Sequence, residues 1–222
     1  MTAVFQGSSL RDRRRLSKRK PNHEADFLTP FESVSLGLSG FFFRDGFLGP
    51  QLAKELRAET LRIVKSGVLR PAGIGRSGTL DPITRGDHLC WMEPRQAGRA
   101  VKMLMARFEL LRKSLNRQFF LGLDRYEMQL ALYHPGSQGY QRHLDAFRGS
   151  NQRNRRLTAI VYLNPSWKAD DGGELALYLP QSEIRLEPVA DRLVVFFAEE
   201  VEHAVLPVQN QRLALTAWFH SP

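Results

Sequence analysis

The residues able to do chemistry lie late in the chain. His143-Leu144-Asp145 sits within the run Gly139-Tyr140-Gln141-Arg142-His143-Leu144-Asp145-Ala146. Residues two apart in a strand face the same side, so this pair would aim an imidazole and a carboxylate at one point. His203 offers a third ligand further on. Two histidines and one carboxylate leave coordination positions open, a donor set that suits an oxygen-activating ferrous ion. Zinc with three protein ligands and a water is the rival. A His-x-Asp pair alone is a weak signal, and Arg212 strengthens it. Along residues 211–219, alternation puts Arg212, Ala214, Thr216 and Trp218 on one face and Leu213, Leu215, Ala217 and Phe219 on the other. The second face reads as core. An arginine on the inner side of a sheet needs an anion, and a carboxylate gripped by the guanidinium and capped by a hydroxyl would supply one. An internal salt bridge to Asp or Glu is the plainer alternative. His88, His134 and His220 read as surface or hydrogen-bonded histidines, and His23 falls in a stretch without pattern.

Strands and helices must position these groups. Gly40-Phe41-Phe42-Phe43 reads as a short strand turned by Asp45-Gly46. Pro50 opens a helix whose apolar face is Leu52, Leu56, Ile63 and Val64, and Gly67 stops it. Residues 68–87, rich in glycine and proline, read as a long loop, and such loops are usually functional or disordered. Asp87–Met92 resembles a strand. A second helix over about 95–118 carries Ala97, Val101, Leu104, Phe108, Leu111 and Leu115 on one packing face. From Tyr126 the period changes to two, with strands expected at 126–133, 139–146, 156–163, 174–179, 192–198, 203–208 and 211–219. Many short strands after early helices point to a mainly β fold, a sandwich or jelly roll with the helices bracing one sheet.

Composition bounds the rest. The 222 residues suffice for one domain with a sizeable core. No apolar run is long enough to span a membrane, and the single cysteine, Cys90, favours a reducing, cytoplasmic setting. Most of the formal charge of +9 comes from Arg11, Arg13, Arg14, Arg15, Lys18, Arg19 and Lys20. Residues 1–30 are therefore expected to be a disordered basic tail, with a contact to nucleic acid or an acidic partner as the sharper reading. Residues 31–222 form the expected domain, with a barrel over about 126–220.

The motifs Tyr133-His134-Pro135-Gly136, Gly139–Asp145, Thr158–Asn164, Gly172-Gly173-Glu174-Leu175, Asp191–Phe197 and Arg212…Thr216-Ala217-Trp218 occur in order. Together they resemble the prolyl hydroxylases of the Fe(II)- and 2-oxoglutarate-dependent dioxygenases, in the branch of the hypoxia-inducible-factor prolyl hydroxylases and their bacterial relatives. Thr84-Arg85-Gly86-Asp87 followed by Trp91-Met92-Glu93 fits the same branch. The resemblance covers about residues 38–220 and implies a double-stranded β-helix. It implies iron on His143, Asp145 and His203, with Arg212, Tyr162, Thr216 and Tyr133 around 2-oxoglutarate. Arg85, Asp87, Tyr140 and Trp218 would belong to the substrate side, with 68–87 as a lid. It also implies O2 as cosubstrate, ascorbate as reductant, a proline-containing protein or peptide as substrate, release of succinate and CO2, and an oxygen-sensing role. The family's animal members continue past the last strand into a segment that contacts substrate. This sequence runs to Pro222, so the substrate protein stays unnamed. Demethylation of nucleic acid is the second reading. That branch usually places an arginine where Trp218 stands. A non-catalytic binding module is the third.

Overall fold

The computed structural model describes residues 27–74, 78–146 and 155–222. The basic run at 11–20 lies outside them. Leu28, within the stretch expected as tail, is buried in the core, and its amide donates to Ser114 Oγ.

Three helices come first. Helix α1, Pro30–Ser39, was not expected from the sequence. It starts on a capping box, in which Glu32 N–H donates to Thr29 Oγ1 (3.2 Å) and Thr29 N–H donates to Glu32 Oε2 (2.7 Å). Helix α2, Pro50–Lys65, begins at the proline as expected, and the turn that leads into it is tied from far away. The Asp191 carboxylate accepts from Leu48 N–H (2.6 Å) and Gly49 N–H (2.9 Å). Helix α3, Arg99–Phe119, starts later than 95, where the Glu59 carboxylate accepts from Ala100 N–H.

Eleven strands follow or interleave among the described residues: β1 Phe41–Arg44, β2 Arg70–Pro71, β3 Asp87–Trp91, β4 Arg125–Tyr133, β5 Tyr140–His143, β6 Arg155–Tyr162, β7 Leu175–Leu179, β8 Ser182–Leu186, β9 Leu193–Phe197, β10 Glu202–Val205 and β11 Arg212–His220. They form two antiparallel sheets, ordered β1-β9-β6-β11-β4-β3-β2 and β5-β10-β7-β8. The larger sheet turns one face to α2 and α3, burying Leu130, Leu132, Leu157, Leu215, Ala217 and Phe219 against Leu56, Leu104, Phe108 and Leu111. Its other face meets the small sheet through Ile160, Tyr162, Leu175, Leu177 and Phe196. This is the expected mainly β, double-stranded β-helix architecture with helices bracing one sheet.

Two expectations about elements need correcting. β8 was missed, although Ile184 and Leu186 alternate with Glu183 and Arg185. It is the outer strand of the small sheet, and its two apolar residues gave little signal. Residues 68–87 are also less loop-like than expected. Arg70 and Pro71 pair with Leu89 and His88, and bridges join Ile74 to Thr79 and Arg85 to Tyr140.

Candidate active site

Strand register builds the site in rows across the inner face of the large sheet. β11 lies between β4 and β6, so each inward residue has a neighbour on both sides. Tyr133 pairs with Arg212; Ala131, Ala214 and Tyr162 form the next row; Gln129, Thr216 and Ile160 the next; and Glu127, Trp218 and Thr158 the last. The alternation expected for β11 is observed. Tyr133, Arg212, Ala131, Ala214, Gln129, Thr216, Ile160 and Trp218 from these rows line a cavity of about 530 Å³ that also takes in Arg85, Asp87, Tyr140, His143, Asp145 and His203.

The three proposed ligands converge at the Thr158 end. Their donor atoms all lie within 4.8 Å of one another. His143 Nε2 and His203 Nε2 approach the two Asp145 oxygens at 3.7 and 3.6 Å. His143 and His203 are direct partners across the β5–β10 ladder. Asp145 departs from the sequence reading. β5 ends at His143, so the pair does not share a strand. Asp145 lies beyond the ladder and is held otherwise: the next amide, Ala146 N–H, donates to Ala198 O (3.2 Å), and Thr158 Oγ1 donates to Asp145 Oδ2 (2.6 Å).

The protonation state suits a cation. Burial, helped by the neighbouring His203, pushes His143 down to about 4. Burial would raise Asp145, but His203, His143 and the Thr158 hydroxyl outweigh it and hold the carboxyl below its usual range. A neutral imidazole beside an ionised carboxylate is what a divalent ion requires. The second ring nitrogens of His143 and His203 face the carbonyls of Gln141 (2.7 Å) and Val201 (3.2 Å). Those contacts leave both Nε2 atoms for the ion.

The far end suits an anion. Arg212 is 2% exposed, and among the described residues no carboxylate pairs with it. Its Nε–H donates to Gly173 O (2.8 Å), and its guanidinium lies about 5 Å from the ring centres of Tyr133 and Tyr162. Burial raises both phenols, so both remain protonated donors at neutral pH. The Tyr162 hydroxyl is buried with no hydrogen-bond partner. A buried guanidinium without a carboxylate partner, beside a buried hydroxyl without a hydrogen bond, is costly unless an acceptor joins them. The carboxylate of 2-oxoglutarate is such an acceptor. Thr216, between this end and the ligands, adds a further hydroxyl to the floor.

The remaining expected residues line the same cavity. Arg85 and Asp87 form an ion pair (2.8 Å), and the Arg85 guanidinium sits 4.8 Å from the Tyr140 ring centre. Tyr140 stacks on His143 with centroids 3.7 Å apart. Trp218 faces Trp91 across the mouth at 5.8 Å. Thr158, Gln129, Arg155 and Glu127 were missed as site residues. Thr158 was findable, because it alternates in phase with Ile160 and Tyr162.

Known proteins give the same picture. The family model for the 2OG-Fe(II) oxygenase superfamily matches residues 128–220. The chain is 28% identical over 190 residues to prolyl hydroxylase EGLN3 of Homo sapiens, covering 81% of this chain and 78% of that protein. A solved structure of a Pseudomonas putida prolyl-4-hydroxylase is similar with a TM-score of 0.79 and 38% identity, covering 86% of this chain and 98% of that one. A Trichoplax adhaerens prolyl hydroxylase, solved with a hypoxia-inducible-factor oxygen degradation domain peptide fragment, is similar with a TM-score of 0.79 and 29% identity. That match covers 86% of this chain and 87% of the other. Register, donor set and likeness converge: the chain belongs to the 2OG-Fe(II) oxygenase superfamily and is a dioxygenase that uses Fe(II), 2-oxoglutarate and O2.

Proposed function

We propose that this enzyme hydroxylates a prolyl residue, at C4, in a protein or peptide substrate. The observation that carries the proposal is the sharing of one cavity by the His143/Asp145/His203 cluster and a buried Arg212 with no carboxylate partner. The likeness to prolyl hydroxylases over most of the chain supports the choice of substrate class. The overall reaction consumes one 2-oxoglutarate and one O2. One oxygen atom enters succinate as CO2 leaves, and the other enters the prolyl C–H bond as hydroxyl. His143, Asp145 and His203 would hold the ferrous ion, which would supply the oxygen activation when bound, and ascorbate would keep it reduced.

The chain's own residues do the positioning. Arg212 and the Tyr162 hydroxyl receive the distal carboxylate of 2-oxoglutarate, with Thr216 and Tyr133 bounding it. Tyr140, Trp218 and the Arg85–Asp87 pair shape the entrance that receives the prolyl ring. Residues 68–87 act as the lid above it, and closure there excludes water. The basic run at 11–20 adds an acidic partner or nucleic acid as a second contact, supported by its charge alone. A cytoplasmic setting is supported by the lone Cys90; no helix among the described residues is long and apolar enough to cross a membrane.

The test is turnover with Fe(II), 2-oxoglutarate, ascorbate and a panel of proline-containing peptides. Succinate should appear with a peptide gain of about 16 Da, the mass of one oxygen atom, located on proline by fragmentation. Oxidation confined to another side chain or to a nucleobase overturns the substrate class.

A further inference from the structure

At the metal end of the cavity a second group of charges adjoins the ligands. Arg155 Nε donates to Glu127 Oε1 (3.0 Å), with a second, shorter bond from the same guanidinium. His220 Nε2 lies 3.4 Å from that same oxygen. The Arg155 guanidinium covers the Trp218 ring, 4.3 Å from its centre, and its third nitrogen reaches the carbonyl of Asp145 at 3.4 Å. His220, ahead of Arg155, holds the Glu127 carboxyl down at about 2, so the acceptor is ionised at any working pH.

A break in the ladder brings Arg155 there. Leu157 pairs with Phe219 in regular register, which would set Arg156 opposite His220. The register shifts between Phe219 and His220, and Arg155 takes that place instead. Bulges re-aim side chains in this way. The consequence is that Arg155 comes onto the sheet face that carries His220, Trp218 and Glu127, and lines the cavity there beside Trp218. It also links the first residue of β6 to the Asp145 carbonyl.

We propose that Arg155, fixed by Glu127 and His220, is a positioning residue that sets the Asp145 backbone and the Trp218 ring for metal binding. Asp145 needs such a group because it lies outside the ladder. Thr158 fixes its carboxylate and Ala198 the amide that follows it, and Arg155 takes its carbonyl. A planar guanidinium can stack on an indole and donate sideways to two acceptors at once, whereas a lysine ammonium cannot. The inference rests on the reading of Asp145 as a ligand.

The test titrates the metal-free chain with Mn(II), reading free Mn(II) without cosubstrate or turnover. Arg155→Ala and Glu127→Leu should each weaken Mn(II) about 10- to 100-fold, the usual effect of losing a group behind a ligand. Arg155→Lys should fail to restore it. Glu127→Gln, which keeps a hydrogen-bond acceptor, should lie between and serves if Glu127→Leu does not fold. Unchanged Mn(II) affinity with a raised peptide KM in Arg155→Ala makes Arg155 a substrate contact and overturns the proposal. A lowered melting temperature with unchanged affinity makes it a fold brace and overturns the proposal equally. Asp145→Ala is the control. If it too binds Mn(II) normally, the ligand assignment itself falls, and the proposal with it.

Discussion

Arg212→Lys separates cosubstrate recognition from support of the fold. The native guanidinium commits Nε to Gly173 O at 2.8 Å and keeps its two terminal nitrogens between Tyr133 and Tyr162. A lysine ammonium carries the same charge at a single point. It cannot both satisfy Gly173 O and straddle a carboxylate. Losing one charge-assisted contact costs about 2–3 kcal/mol, roughly a 30- to 150-fold rise in the apparent 2-oxoglutarate constant. If the ammonium turns to the cosubstrate instead, the buried Gly173 carbonyl is orphaned at about 1–3 kcal/mol of stability. A protein of this size loses about 2–4 °C of melting temperature per kcal/mol. Cosubstrate titration by succinate release and thermal melting should therefore be run on the same preparation. The expected outcome is a large rise in the constant, a melting shift of a few degrees, and unchanged Mn(II) binding. A collapsed melting temperature with the cosubstrate constant unmoved would refute the assignment and make Arg212 a structural residue.

Three further outcomes are expected. Asp145→Ala should abolish succinate formation and iron retention; full activity would defeat the ligand set. A chain beginning at Asp26 should fold and turn over 2-oxoglutarate at near wild-type rates, because Leu28 and the Thr29–Glu32 box remain; loss of folding would assign the upstream residues to the core. Gly139→Ala should destabilise by about 2–4 kcal/mol, read as a lower denaturant midpoint. Its φ is +81°, and an added Cβ would stand 2.0 Å from Val205 O, so backbone rather than a side chain must give way.

What the sequence revealed followed from regular periodicity. β11 alternates without interruption over Arg212–His220, so both its buried face and its cavity face could be read directly. Where the backbone leaves regularity, the reading failed or succeeded for the wrong reason. Asp145 was placed by strand spacing, yet it is delivered to the site by a hydroxyl and two neighbouring backbone contacts beyond the strand end. Arg155 reaches the cavity through a register shift that no hydrophobic pattern encodes. Helix α1 was legible in principle, since Thr29-Pro30-Phe31-Glu32 spells its own cap. Its apolar residues obscured it, because Phe31, Val34 and Leu38 lie on the exposed side and blur any single stripe.

The three proposed ligands are rooted unequally. His203 lies on β10, flanked by β5 and β7, and Asp145 is tied through Thr158 to β6, an inner strand of the large sheet. His143 ends β5, a four-residue outer strand whose one full ladder is to β10 and whose other side, among the described residues, is held only by the short contacts of residues 84–86, the Arg85–Tyr140 bridge among them. An ion held by all three would rivet that edge to the molecule. Amide hydrogen exchange over Tyr140–His143 should then slow on metal loading while β4, β6 and β11 keep their rates. Loading at a hundredfold excess over the dissociation constant adds about 2.7 kcal/mol to the folded state. Limited proteolysis of the metal-free chain should then cut at this edge sooner than that of the metal-loaded chain.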